Sequence, residues 1–156
     1  MHTTGARRLE STVRIVTVIL VDQRGWVLLQ ERDEKAPIAA NQWGLVGGHV
    51  EPGEDSEAAV YRELQEETGV ALECGLTLWF DGEFAHANDA SPMRFQVWVA
   101  STSLTDADIV VGEGRQIVFV DPESLASLDL GESAAHFVPL FLDSSGYVAL
   151  SARPAD

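Results

Sequence analysis

The sequence predicts an α+β or mixed α/β architecture, not a doubly wound parallel sheet. Two observations predict it. Segments rich in β-branched and aromatic residues outnumber the segments with helical signals, and some of these strand-like segments follow one another directly across short turns. A doubly wound sheet would instead alternate strands and helices along the chain.

Length and composition predict one domain over residues 1–156, with residues 1–11 as a candidate disordered N-terminal segment. A chain of 156 residues that is 46% hydrophobic can build one substantial core. No apolar run reaches the length of a membrane span, and "MHTTGARRLE" lacks the apolar segment of a secretory signal. We therefore expect a cytoplasmic protein that does not engage a membrane.

The formal net charge of −15 limits the partners. A nucleic acid or an anionic membrane surface would be repelled, so we expect neither as a partner. The net charge does not exclude small anionic substrates, because carboxylates that hold divalent cations make the local charge positive. The single cysteine, Cys74, has no partner for a disulfide or a metal site, and we expect a buried thiol.

The first half of the chain predicts a hairpin followed by a loop. "TVRIVTVILVD" and "WVLLQER" have strand character and are separated by a short turn at "QRG". "DEKAPIAANQ" combines charge, proline and small residues, which is typical of a loop. "WGLVGG" follows this loop and leads directly into the acidic segment.

The acidic segment "EDSEAAVYRELQEETGV" predicts a helix with both ends marked. Asp55 or Ser56 can cap the start, and Gly69 can end the helix in a left-handed conformation. Val60, Tyr61 and Leu64 lie three and four residues apart and supply an apolar stripe for the core.

The second half predicts further strands and a final helix. "VALECGLTLWFDGEF" and "MRFQVWVAST" are strand-like and are separated by the polar "AHANDASP", and "RQIVFVD" is a further short strand. "PESLASL" places a proline where a first helical turn accepts it. "ESAAHFVPLFLD" predicts a helix interrupted by Pro139.

Three glutamates of the acidic helix share one face. Glu63, Glu66 and Glu67 stand at i, i+3 and i+4, so their like charges need solvent, arginine, raised pKa values or a divalent metal as compensation. A solvated acidic face is one interpretation. The second is a metal site, which the glycine pair upstream and the absence of lysine from this helix favour. Oxygen ligands without paired cysteines or histidines suit Mg²⁺, with Mn²⁺ as the other option.

Residues 48–70 resemble the signature of the Nudix hydrolases, G-x5-E-x7-R-E-U-x-E-E-x-G-U with U a bulky aliphatic residue. Every fixed position of the signature is matched, by Gly48, Glu54, Arg62, Glu63, Leu64, Glu66, Glu67, Gly69 and Val70. So many fixed spacings make a specific signal. The resemblance implies the Nudix fold, a mixed sheet packed between helices as an α/β/α sandwich.

The resemblance also implies roles for residues of the signature. Glu63, Glu66 and Glu67 match metal-binding glutamates, and Gly47 matches a position whose backbone carbonyl often completes the metal shell. Arg62 and Glu54 match a pair that holds the loop against the helix. A carboxylate that faces an arginine is stabilised as an anion and is a poor proton shuttle, so we expect Glu54 to organise the site.

Outside the signature the implied roles have plain alternatives. Glu113 is the best candidate for a further carboxylate from a downstream loop, although an exposed loop glutamate would look the same. Arg32 matches a position that contacts substrate phosphate in some relatives, with a surface arginine as the alternative. His49 is expected to be an exposed turn residue. Trp43, Trp79 and Phe84 could stack on a base or simply pack in the core.

The implied activity is Mg²⁺-dependent hydrolysis of a nucleoside diphosphate linked to a group X. The markers of the ADP-ribose, dinucleoside polyphosphate, NADH and coenzyme A subfamilies are absent, which leaves nucleoside triphosphates first and nucleotide sugars second. Glu66 and Glu113 are the first candidates for the general base. Two other classes stay open: a sensor of this fold that binds a nucleotide without hydrolysing it, and an isopentenyl diphosphate isomerase, which Cys74 does not support. The resemblance also leaves a homodimer open.

Overall fold

The computed structural model describes residues 12–87 and 91–151, so the candidate disordered segment 1–11 lies outside the described residues. The strands are β1 (Arg14–Val21), β2 (Val27–Glu31), β3 (Trp43–Gly44), β4 (Val46–His49), β5 (Thr77–Phe84), β6 (Met93–Ser101) and β7 (Gln116–Val120), and the helices are α1 (Ser56–Thr68), α2 (Glu132–Leu142) and α3 (Ser145–Ser151). Short 3₁₀ helices span Asp106–Asp108 and Pro122–Ser127. In the described part of the chain, no helix is both long and apolar enough to cross a bilayer.

β1 is the strand around which the mixed sheet is organised. It runs parallel to β6 along its whole length and antiparallel to β2 at its end, where Val21 pairs with Val27. The first half of the same edge pairs with β4, and Thr17 lies opposite Gly47. β2 then pairs with β3 and β7, so β4 and β2 share one edge of β1. This sharing sets the glycine pair of β4 beside the centre of the sheet.

Alternating side chains of the strands feed two separate cores. Val16, Val18 and Leu20 of β1 point to the face covered by α1, where Val60 and Leu64 are fully buried. Ile19 and Val21 point to the opposite face, where Phe137 and Phe141 of α2 are buried. The period of two along a strand produces this division. The sheet therefore lies between helices, and the predicted α/β/α sandwich is confirmed.

α1 has the boundaries that the sequence predicts. The Asp55 carboxylate accepts hydrogen bonds from the backbone N–H groups of Glu57 and Ala58 at 3.1 and 3.2 Å, which satisfies donors that a helix start leaves free. Gly69 ends the helix with φ of 76°, in the left-handed region that favours glycine. Both ends of the glutamate-bearing helix are thus fixed locally.

Three sequence-based expectations are wrong in detail. α2 continues through Pro139 to Leu142, because its apolar face is held in the second core by Phe137, Val138 and Phe141. Residues 70–76 precede β5 as an irregular segment, so Cys74 is exposed and not a buried thiol. α3 was not predicted, although the Ser144 hydroxyl accepts a hydrogen bond from the Tyr147 N–H at 3.2 Å, a side-chain bond at the start of a helix that serine often makes.

Candidate active site

A two-point ion pair joins α1 to the loop that precedes it. Arg62 donates from Nε to Glu54 Oε2 at 2.7 Å and from Nη2 to Glu54 Oε1 at 2.9 Å. The Glu54 carboxylate also accepts from the Glu51 N–H at 2.9 Å, which closes the turn. The hydrogen bonds from Arg62 are the main reason that the pKa of Glu54 falls to about 2. Glu54 is therefore a fixed anion over the ordinary pH range.

The same arginine contacts two of the three glutamates that share one face of α1. Arg62 Nη1 lies 3.1 Å from Glu63 Oε2 and 3.1 Å from Glu66 Oε1, and Nη2 donates to the His49 carbonyl at 3.1 Å. The hydrogen bonds to Glu54 and Glu63 raise the pKa of Arg62. One guanidinium thus partly compensates the carboxylates that the sequence crowds onto a single helix face.

Glu63 lies directly against the glycine pair of β4. A Cβ atom on Gly48 would stand 2.6 Å from the Glu63 carboxyl carbon, so only glycine lets strand and carboxylate approach this closely. Burial raises the pKa of Glu63, and the hydrogen bond from Arg62 works in the opposite direction. Only 14% of the side chain is exposed, against 60% for Glu66. The two glutamates therefore occupy different environments on the same helix.

Glu67 is the most strongly perturbed carboxyl group of the face. Its Oε1 accepts a hydrogen bond from the Gly47 N–H at 3.0 Å. Burial nevertheless raises its pKa to about 7, helped by the charges of Glu63 and Glu113, while that N–H and Arg32 act in the opposite direction. A carboxyl group that half-ionises near neutral pH in a partly buried site is a frequent mark of function.

Glu113 is brought to this face by contacts that the sequence did not reveal. The buried Gln30 side chain of β2 donates from Nε2 to the Glu113 carbonyl at 2.8 Å, and the Arg115 N–H donates to the Glu31 carbonyl at 2.8 Å. On the other side, the Gly112 N–H donates to the Glu67 carbonyl at 2.8 Å. The segment before β7 is therefore fastened between the end of α1 and the end of β2.

Sequence reasoning assigned no role to Gln30. A polar side chain in the strand-like "WVLLQER" was the one signal that could have pointed to it, since a buried amide needs a partner. Gln116, at the start of β7, donates to Glu31 Oε1 at 2.9 Å and lies outside the glutamate group.

Arg32 lines a small cleft beside the glutamates. Its Nε donates to the Ile38 carbonyl at 2.8 Å, within the loop between β2 and β3. The cleft has a volume of about 220 Å³, and Glu113 lines it together with Arg32. A larger groove of about 490 Å³ lies between Trp79, Ser101 and Gly146, and it is lined by none of the predicted catalytic or metal-binding residues.

The remaining candidates fall outside the glutamate group. His49 is exposed, as expected, but it lies at the end of β4, opposite Ile15, and not in a turn. Trp43, Trp79 and Phe84 are partly buried and pack against the second core, under α2. Packing against the core is thus the contact that all three aromatic side chains share.

The donor set at the glutamate face suits a hard divalent cation. Three carboxylates share the face, and carboxylate oxygens are the ligands that hard divalent cations prefer. Among residues 12–87 and 91–151, however, no three acidic, histidine or cysteine side chains already stand close enough together to hold a metal. Arg62 holds Glu63 and Glu66, and Glu67 bonds to Gly47, so metal binding has to exchange some of these bonds. The residues fit a metal by chemistry and need side-chain rearrangement to bind it.

Comparison with known proteins identifies the family. The protein-family model of the NUDIX domain matches residues 11–141 of the sequence. The nucleoside triphosphatase NudI of Enterobacter sp. (strain 638) is 30% identical over 127 residues, covering 77% of this chain and 90% of that protein. NudI of Salmonella agona (strain SL483) is 29% identical over 134 residues, covering 81% and 95%.

A solved structure agrees with these matches. The MutT protein from Methanosarcina mazei Go1 superimposes with a TM-score of 0.66 at 22% identity, covering 91% of this chain and 96% of that one. The structural likeness supports the fold, and the sequence matches support the family. The resemblance drawn from residues 48–70 is therefore confirmed, and the chain belongs to the NUDIX domain family of hydrolases.

Proposed function

We propose that this Nudix hydrolase cleaves nucleoside triphosphates into a nucleoside monophosphate and pyrophosphate, with Mg²⁺ as the metal and Mn²⁺ able to replace it. The observation that carries the proposal is that Glu63, Glu66 and Glu67 share one face of α1, while Glu113 lies close enough for its charge to act on Glu63 and Glu67. The names of the NudI relatives support the triphosphate as substrate.

Membership of the family supports a divalent metal ion as cofactor, since Nudix hydrolases generally use divalent metal ions. Glu63, Glu66 and Glu67 would hold it, with the Gly47 carbonyl as a further ligand. A bound divalent cation neutralises phosphate oxygens and supports the charge that develops on the leaving phosphate. All-oxygen ligands favour Mg²⁺ over softer metals.

The protein's own groups position the water and accept its proton. Glu66 and Glu113 are the two candidates for the proton acceptor: Glu66 is well exposed, and Glu113 lines the cleft beside Arg32. As the water oxygen bonds to phosphorus, the anhydride bond between the first and second phosphates breaks and pyrophosphate leaves. The ion pair between Arg62 and Glu54 holds the loop before α1 against the helix that carries the glutamates. Arg32 contacts substrate phosphate.

The test is hydrolysis of a panel of nucleoside triphosphates, diphosphates, nucleotide sugars and dinucleotides, assayed with Mg²⁺, with Mn²⁺ and with chelator. We expect metal-dependent release of pyrophosphate from triphosphates, lost in Glu67→Gln and Glu63→Gln. Preferential turnover of nucleotide sugars would change the substrate class. Tight nucleotide binding without any turnover would refute hydrolysis and leave a sensor.

The variants Glu66→Gln and Glu113→Gln distinguish the two candidate bases. The true base, when replaced by glutamine, should lower kcat by about 10²- to 10⁴-fold and remove the acid limb of the pH profile. The other variant should keep that limb. Glu57→Gln, in the first turn of α1 and exposed, is the matched control.

The same proposal covers cellular location and assembly. We infer a single domain, since one sheet organises the described residues, and we propose that it acts in the cytoplasm. A homodimer is the assembly that the family resemblance suggests. Sedimentation velocity at several protein concentrations tests it, and a single monomer species at all concentrations would refute it.

A further inference from the structure

We infer that the cleft beside the glutamates binds the outer phosphates of the nucleotide, and that Lys35 is the residue that sets the preference for a long phosphate chain. The inference rests on the proposed function and deepens it. The cleft lies between the loop that joins β2 to β3 and the segment before β7, and its lining includes Gln30, Arg32, Lys35, Glu113 and Gly114.

The first argument is the distribution of positive charge. Across residues 12–87 and 91–151, Arg24, Arg62, Arg94 and Arg115 are each ion-paired to a carboxylate. Arg14 is held by the backbone carbonyls of the loop before α1. In that part of the chain, Arg32 and Lys35 form no ion pair with a carboxylate, and both line this one cleft. In a chain of net charge −15, two such cations together favour an anionic ligand.

Two carboxylates, Asp33 and Glu113, line the cleft together with the two cations, so the charge of the cleft is divided by position and is not positive throughout. Asp33 also lines it, but its Oδ1 accepts the Lys35 backbone N–H at 2.9 Å and its carbonyl accepts the Asn41 N–H at 3.2 Å, so Asp33 shapes the loop. Glu113 lies on the side of the glutamate group, since its charge acts on Glu63 and Glu67. The cleft is thus acidic toward the helix and basic toward the loop.

The second argument is size and position. The volume of about 220 Å³ is below the roughly 300 Å³ at which pockets for drug-sized ligands begin, so the cleft suits phosphate groups better than a nucleoside. Arg32 is close enough to Glu67 for its charge to act on that carboxyl group, and Lys35 follows three residues later along the wall of the same cleft. A phosphate chain that starts at the glutamate face would meet Arg32 first and Lys35 next.

The third argument is that hydrogen bonds fix the conformation of the loop between β2 and β3, which forms one wall of the cleft. Arg115 Nη2 donates to Asn41 Oδ1 at 2.6 Å and pairs with Glu34 Oε1 at 3.1 Å, which links the loop to the opposite wall. The Arg32 N–H donates to the Gln42 carbonyl at 2.9 Å and closes the base of the loop. A preorganised wall lowers the entropy cost of binding a small anion.

The experiment uses Lys35 as its own reporter, because it is the single lysine in the chain. Reductive methylation with ¹³C-formaldehyde gives one lysine dimethyl signal in NMR, apart from that of the N-terminal amine. With Mg²⁺ present, inorganic tripolyphosphate should shift the Lys35 signal at saturable concentrations, and a nucleoside monophosphate should not. A Lys35 signal that stays in place at saturating tripolyphosphate, or a protein that binds no tripolyphosphate, would overturn the inference.

Variants test the same inference independently of the label. Lys35→Met should weaken tripolyphosphate binding and raise KM for the triphosphate about three- to tenfold with little change in kcat, and Lys35→Arg should restore both. Discrimination between triphosphate and diphosphate should fall in Lys35→Met only. Arg24→Gln removes an equal charge at the β1–β2 turn, and an equal loss there would show that only overall charge matters.

The two proposals can fail separately. If the wild-type protein hydrolyses no triphosphate while Lys35 responds to tripolyphosphate, the proposed function fails and the phosphate cleft stands. If triphosphates are hydrolysed while the Lys35 signal stays unmoved and Lys35→Met keeps the wild-type KM, the function stands and this inference fails.

Discussion

Arg62 and Glu54 meet through two parallel hydrogen bonds of 2.7 and 2.9 Å, and this pair fastens the loop before α1 to the helix that carries the glutamates. A planar guanidinium can make both bonds and still reach Glu63 and Glu66. An ammonium group cannot reproduce that arrangement.

Arg62→Lys therefore tests geometry at constant charge. We expect kcat/KM to fall about a hundredfold, because small displacements of catalytic groups have effects of this size. The melting temperature should fall as well. Steady-state kinetics on the preferred triphosphate and thermal unfolding make the measurement, with Arg94→Lys, at another two-point ion pair on β6, as control. Wild-type kinetics in Arg62→Lys would show that charge alone is sufficient.

The raised pKa of Glu67 predicts that the metal-free protein becomes less stable as the pH rises toward neutrality. Its pKa is near 4.5 in the unfolded chain and about 7 in the folded protein. Between these values the folded protein keeps a proton that the unfolded chain has released, so the free energy of unfolding falls as the pH rises from 4.5 to 7. The loss is on the order of 3 kcal/mol and is complete above pH 7.

Glu67→Gln should remove most of this slope, and the raised pKa of Glu63 should leave a smaller one of the same sign. Above pH 7 and with chelator present, the variant should be more stable than the wild type, and the wild type should gain more stability from added Mg²⁺ than the variant does. Urea unfolding at a series of pH values measures both effects. Glu66→Gln, on the same helix but exposed, should retain the wild-type slope. A slope that is equal in Glu67→Gln and the wild type would contradict the raised pKa.

Gln30→Leu tests whether the buried amide positions Glu113. The substitution keeps the side chain close to its size but leaves the Glu113 carbonyl without its donor, which should cost about 1–2 kcal/mol of stability. We expect kcat to fall about tenfold while KM changes less. Kinetics and urea unfolding are compared with Ser144→Ala, which loses a side-chain bond far along the chain at α3. Equal activity of the two variants would remove the positioning role.

Pro139→Ala should stabilise the protein. α2 runs through Pro139, where the ring removes a backbone donor and crowds the carbonyl of the preceding turn. Alanine restores the donor, and we expect a gain of about 1–3 kcal/mol in the free energy of unfolding with unchanged activity. Urea unfolding measures it. A loss of stability would show that the proline is better accommodated in the folded chain than in the unfolded one.

The helix and its glutamate face could be predicted because local sequence determines them. Asp55 and Gly69 act within a few residues of the positions they cap, and the spacing of Glu63, Glu66 and Glu67 fixes their common face. The family signature adds the ion pair between Arg62 and Glu54. The single-domain interpretation stays a prediction.

The features that were missed depend on contacts distant in sequence. Gln30 and Glu113 are far apart along the chain and meet only because β2 pairs with β7. α2 passes through Pro139 because the second core holds its other residues, which local propensity does not show. Cys74 is exposed because the chain reaches β5 only at Thr77.

α1 serves the core with Val60 and Leu64 and the site with Glu63, Glu66 and Glu67, and this double use makes its length intolerant to change. One residue inserted between Leu64 and Glu66 would rotate everything that follows by about 100° around the helix axis. The last two glutamates would leave the site while the first stayed in it. Substitutions along this helix can lower activity to different degrees, whereas an insertion or a deletion moves Glu66 and Glu67 to a different helix face from Glu63.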